Sequence, residues 1–86
     1  MLKNKTIIVT GAGKGLGLET LKQIIKYEGF VYGITRSKKD LIKFKNIKNC
    51  KVFFGDVSDN KTFKKILKES KKDRKTITGL VNNAGI

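Results

Sequence analysis

Gly11, Gly13, Gly15 and Gly17 alternate along one short stretch, with Lys14 among them and the β-branched run Thr6-Ile7-Ile8-Val9-Thr10 just ahead. Glycine lets backbone turn tightly and lets a ligand approach with no Cβ in the way. If the loop opens a helix, its free N–H groups and the positive end of the helix dipole face the same ligand, which suits a pyrophosphate. Three other polar clusters each lie at the end of a β-rich run: Thr35-Arg36-Ser37, Asp56-Val57 and Asn82-Asn83-Ala84-Gly85. Two better-known glycine patterns do not fit. Gly-x-Gly-x-x-Gly would put glycine at Leu16 or Thr20, and a P-loop would need Ser or Thr where Gly15 follows Lys14, which argues against ATP hydrolysis.

The elements that must position these clusters alternate regularly. Thr6–Thr10 reads as a strand covered on both faces. After the glycines, Leu18, Leu21, Ile24 and Ile25 recur at helical spacing with Lys22 and Lys26 opposite, and this helix ends near Gly29. Phe30 to Thr35 is a second strand; Ser37 caps a short helix carrying Leu41, Ile42 and Phe44; Val52-Phe53-Phe54 is a third strand that stops at Gly55-Asp56. Ser58 or Asp59 caps a further helix with Phe63, Ile66 and Leu67 inward and Lys64, Lys65, Lys68, Lys71 and Lys72 outward, and Ile77 to Val81 is a fourth strand. This β-α-β-α-β-α-β alternation predicts an α/β fold: a Rossmann-like, doubly wound parallel sheet, present as a half-fold with strand order 3-2-1-4. Its ligand crevice lies at the carboxyl ends of the strands.

Composition bounds the function. The chain has 86 residues, a net charge of +13 and 38% apolar residues, so it is one small domain and not a large independent enzyme. Eighteen of the 20 basic residues are Lys, spread from Lys3 to Lys75, without the concentrated, Arg-containing, aromatic-interleaved face of a nucleic-acid binder. Such a field attracts polyanions weakly and in a salt-sensitive way, so specific nucleic-acid binding is the lesser reading. A lone Cys50 and no His leave neither an internal disulfide nor a nitrogen–sulfur metal site. The first apolar run, Ile7-Ile8-Val9, is far short of a signal peptide or membrane span, so the expected location is cytoplasmic.

Taken jointly, Thr10-Gly11-x-x-x-Gly15-x-Gly17, Asp56-Val57 and Asn82-Asn83-Ala84-Gly85 resemble, over residues 5 to 86, the cofactor half of the short-chain dehydrogenase/reductase family. The resemblance implies that residues 1–86 are the N-terminal part of a single NAD(P)-binding Rossmann domain. It implies a cofactor loop of Thr10, Gly11, Gly13, Lys14, Gly15, Leu16 and Gly17. Asp56 would contact the adenine amino group, Val57 would border the ring, and Asn83, Ala84 and Gly85 would lie on the cofactor side of the fourth strand. Plainer roles stand beside these: Gly13 as a packing glycine, Asp56 as a capping acid next to Ser58 and Asp59, and Asn82 as a tie between neighbouring strands, the role favoured for Asn82.

Cofactor choice follows from the second strand. NAD sites place Asp or Glu about 20 residues beyond the loop, whereas Thr35-Arg36-Ser37 offers a guanidinium fork and a hydroxyl, with Lys14 as a second cation. This looks like the NADP-preferring carbonyl-reductase subtype, so NADP(H) is expected ahead of NAD(H). Family chemistry uses an upstream serine and a tyrosine with a lysine four residues later, but Val31 follows Tyr27 at that spacing and Arg36 follows Tyr32. No catalytic residue is assigned, and the catalytic half is expected to be absent, leaving the chain by itself inactive. The expected parent is a homo-oligomer that transfers hydride between NADPH and a carbonyl or alcohol substrate. The alternative is a non-catalytic dinucleotide-binding or regulatory module. With the fourth strand an uncovered apolar edge, the isolated chain is expected to aggregate and to hold NADPH weakly.

Overall fold

The computed structural model describes residues 1–83, so the expected contacts of Ala84 and Gly85 lie outside the described residues. The elements are β1 (Thr6–Thr10), α1 (Gly15–Lys26), β2 (Phe30–Thr35), a 3-10 helix (Lys38–Phe44), β3 (Cys50–Phe54), α2 (Asn60–Lys72) and β4 (Ile77–Asn82). The four strands form one parallel sheet in the order β3-β2-β1-β4, the predicted half of a doubly wound fold.

Strand periodicity builds two cores. Val9 and Val31 face one side with Ala12, Leu21, Ile24 and Phe44; Ile8, Tyr32 and Ile34 face the other, where Ile66 of α2 packs on them. Each of the Val, Leu, Ile and Phe side chains, taken fully out of water, contributes about 1.5–3 kcal/mol. Pairing brings Thr10 level with Ile34 and Asn82, and Thr35 level with Phe54. The carboxyl ends of all four strands therefore finish along one rim, and the segments that follow β1, β2 and β3 open there together. At the opposite end the β1–β4 register shifts after Thr6, and the Thr78 hydroxyl fills the gap: it accepts the Thr6 N–H and donates to the Thr6 carbonyl, both at 3.1 Å.

Three local expectations are corrected. The short helix after β2 has 3-10 geometry, whose period of three keeps Leu41 and Phe44 on one face and turns Ile42 outward, 76% exposed. Ser37 stands at its N-cap position but gives no side-chain cap; instead its own N–H donates to the Thr35 hydroxyl at 3.2 Å. On α2 the buried seam is Thr62, Ile66 and Ser70, one residue per turn, which leaves Leu67 half exposed. Between the two capping candidates, Asp59 is the cap, accepting the Lys61 N–H at 2.9 Å.

Polar contacts fasten the far end of α2. The buried Tyr32 hydroxyl donates to the Asp73 carboxylate at 2.7 Å, and Lys51 bridges Asp73 and Glu69 at 2.9 and 3.3 Å. Burial, then the Asp73 hydrogen bond, pushes the Tyr32 phenol well above its ordinary range. The Lys51 and Tyr32 hydrogen bonds hold the Asp73 carboxyl below its own. Among the described residues no helix is long and apolar enough to cross a membrane.

Candidate functional site

The glycine loop leaves β1 at the common rim and turns back through two left-handed residues, Gly11 (φ 62°) and Gly15 (φ 60°), conformations that strain any residue with a Cβ. The Ala12 N–H donates to the Ile34 carbonyl at 2.9 Å, and the buried Ala12 side chain pins the turn to the sheet. Gly17 lies inside the first turn of α1, where an ideal Cβ would collide with the Gly11 carbonyl oxygen. Glycine there lets the helix start directly against the loop. Lys14 is the N-cap of α1; it supplies no side-chain cap, and the first turn carries no acid. The first amides of the helix are therefore not taken by a capping side chain, and no carboxylate in that turn opposes an anion.

A cavity of about 550 Å³ opens in front of this loop. Gly11, Gly13, Lys14, Leu16 and Gly17 form one wall; Thr35, Arg36 and Ser37 at the end of β2 form another, and Asn83 closes the β4 side. The Thr35 hydroxyl, accepting the Ser37 N–H, closes a tight turn over Arg36. Arg36 also lines a second cavity of about 480 Å³, with Phe54, Asp56, Thr62 and Lys65, and so stands between the two. The two cavities follow the carboxyl rim from β1 across β2 to β3.

The remaining expected residues divide. Asp56 lines the second cavity, and its Oδ1 also accepts the Ser58 N–H and hydroxyl, both at 2.9 Å. These two bonds, with the Arg36 charge as a smaller contribution, hold its carboxyl below the usual carboxylate range. Val57 packs partly buried against the Ile8–Tyr32–Ile34–Ile66 core and lines neither cavity. Gly15 has open space where its Cβ would be and supplies the turn, not a lining surface. Thr10 is buried, and its hydroxyl donates to Asn82 Oδ1 at 2.8 Å and accepts the Asn83 N–H at 2.9 Å, so it works beneath the cavity rather than in it. Asn82 is thus the tie between β1 and β4 that the sequence suggests.

Two features escape sequence reading. Asp40 lines the first cavity, and its Oδ1 pairs with Lys43 Nζ at 3.1 Å; Lys43 Nζ in turn donates to the Gly13 carbonyl at 2.8 Å. Nothing in the sequence separates Lys43 from seventeen other lysines, although an Asp–Lys spacing of three on a helical turn was the available signal. The second is the unmet donor of Asn83, a residue the resemblance already puts on the cofactor side: its Nδ2 is buried at the cavity and finds no acceptor among the described residues. A buried donor without a partner costs about 1–3 kcal/mol. A bound polar group would supply the missing acceptor.

Comparison with known proteins agrees with this geometry. A family model described as short chain dehydrogenase matches residues 5–86. The chain is 32% identical over 88 residues to a 3-amino-tetrahydro-pyrrolizinone reductase of Xenorhabdus hominickii, covering 99% of this chain and 30% of that protein. It is 29% identical over 87 residues to a benzil reductase ((S)-benzoin forming) of Saccharomyces cerevisiae, covering 95% and 33%. Among solved structures, the short-chain dehydrogenase/reductase YIR035C of Saccharomyces cerevisiae superposes with a TM-score of 0.85 at 29% identity, over 95% of this chain and 34% of that one. An apo SCOR enzyme from Clostridium thermocellum superposes with a TM-score of 0.81 at 29% identity, over 100% and 35%. The chain spans about a third of the length of each.

Proposed function

Since the chain belongs to the short-chain dehydrogenase family, whose relatives here include reductases, we propose that it is the cofactor-binding part of an NADP-dependent oxidoreductase acting on a carbonyl or alcohol. The observation that carries this reading is the placement of Arg36, Ser37 and Lys14 around the same cavity as the glycine loop. The amides opening α1 suit the pyrophosphate. Arg36, with a planar fork and no ion pair among the described residues, suits a 2′-phosphate. The second cavity, lined by both Asp56 and Arg36, suits the adenine end. Asn83 Nδ2 is a donor awaiting an acceptor on the β4 side. Bound there, the nicotinamide dinucleotide would supply or take the hydride.

Neither Tyr27 nor Tyr32 has a lysine four residues on, and Tyr32 is buried in the core with its hydroxyl on Asp73. The acid that protonates the substrate is therefore not among these 86 residues, and the chain alone would bind cofactor without turning over substrate. The cytoplasmic location and a homo-oligomeric parent belong to the same proposal. The test is Arg36→Asp, with NADPH and NADH each titrated by NMR, which reads weak binding. A charge-assisted contact of about 1.5–3 kcal/mol predicts a loss of NADPH affinity of roughly 10- to 150-fold with a much smaller change for NADH. Equal losses overturn the NADP reading.

A further inference from the structure

An acid inside a cavity meant for an extra phosphate is a contradiction unless its charge is answered. Asp40 is that acid: its side chain is 14% exposed, it shares the cavity with Arg36 and Lys14, and its Oδ2 lies against Gly13, 2.7 Å from where a Cβ would stand. Its answering charge comes from Lys43, one 3-10 turn away, which sits at 3.1 Å from Oδ1 and at the same time donates to the Gly13 carbonyl at 2.8 Å. One ammonium group thus answers the one acid that lines this cavity among the described residues and straps the glycine loop to the segment after β2. Without it, Asp40 would turn its charge on the bound phosphate or draw off the Arg36 guanidinium.

The geometry points to Lys43 as a positioning and specificity-determining residue: by holding Asp40 and the Gly13 carbonyl, it leaves Arg36 free for a 2′-phosphate. This rests on the NADP reading above and adds to it a residue outside the family's loop pattern. Lys43 touches no cofactor in this scheme and acts only through Asp40 and the loop.

The test compares Lys43→Gln, Lys43→Arg, Asp40→Asn and the Lys43→Gln/Asp40→Asn double variant by titration with NADPH and NADH. A second, cofactor-free measurement follows amide hydrogen exchange at Gly13, Lys14 and Gly15. Restoring one unpaired charge beside the phosphate site should weaken NADPH binding about tenfold and NADH binding far less. Asp40→Asn in the same chain should return NADPH affinity to within about twofold of wild type, since the charge that Lys43 answers is then gone. Loop exchange should quicken in Lys43→Gln and stay fast in the double variant, while Lys43→Arg should keep both properties. If the double variant stays as weak as Lys43→Gln, or if exchange does not change, the assignment of Lys43 is overturned. A wild-type chain that binds NADH as well as NADPH overturns the NADP reading instead, and the exchange measurement still decides the strap.

Discussion

Replacing Gly17 by Ala should be the most damaging single-methyl change in the glycine loop, for a reason that can be measured on the structure. An ideal Cβ at Gly17 would overlap the Gly11 carbonyl oxygen, with its carbon at 2.6 Å and the Ala12 Cα at 3.3 Å. Carbon atoms pack comfortably at about 3.5–4.0 Å, so the Gly11 peptide has to withdraw by roughly an ångström. It has little room to do so. The Ala12 N–H is held by the Ile34 carbonyl, the Ala12 methyl is buried, and Gly11 already occupies the left-handed region. Overpacking costs about 1–3 kcal/mol, and a backbone obstacle that cannot rotate away puts this case at the upper end. For a domain of this size that corresponds to a fall in Tm of roughly 12–24 °C, taking about 4–8 °C per kcal/mol. Gly15→Ala is the internal comparison. It meets nothing within 4 Å, and its φ of 60° adds only backbone strain, about 1–2 kcal/mol. Thermal unfolding followed by circular dichroism checks the pair. A Gly17→Ala chain melting within about 5 °C of wild type, or a Gly15→Ala chain melting lower still, would refute the claim that close approach of α1 to Gly11 fixes the loop.

Acid should weaken the chain through Asp73. Its carboxyl is held below the ordinary value by Lys51 and Tyr32, so its stabilising contribution is complete above about pH 4 and is lost as pH falls through the lowered value. Melting temperatures from pH 7 down to 2 should show an acid decline that starts at the same pH in Tyr32→Phe but is smaller and levels off at higher pH, and an unchanged profile in that variant would exclude the phenol from the network. Asp59→Ala removes the one side-chain N-cap found on α1 or α2 among the described residues and should cost about 1 kcal/mol, seen as a melting temperature lower by roughly 4–8 °C.

What was legible in the sequence is what repeats with a simple period. β1 and β2 announce themselves because both of their faces are buried, and the parallel order follows because each pair of strands needs a crossover. Gly11, Gly13, Lys14, Arg36, Ser37 and Asp56 fall along one rim because the register brings the strand ends level. Leu67 was expected inward on its apolar type alone, and no facing was assigned to Ile42. A 3-10 period and a seam one residue wide leave them in water. The Asp40–Lys43–Gly13 strap and the Tyr32–Asp73–Lys51 network were out of reach, since they join segments 22 to 41 residues apart through charges that are ordinary surface charges in the sequence. Thr10 shows the same limit in reverse: a residue of the cofactor pattern serves the sheet beneath it.

The Thr10 hydroxyl reaches across 72 residues to Asn82, so during synthesis this contact cannot form until β4 has been made. At about 5–20 residues per second, the nascent loop waits roughly 4–14 s for the asparagine that closes it from below. Through that interval β1 can pair with β2 but has nothing on its other side. A newborn chain would therefore have its glycine loop roughed out early and the underside of that loop stitched shut late, and whatever shelters the bare flank of β1 in the meantime would share in shaping the loop.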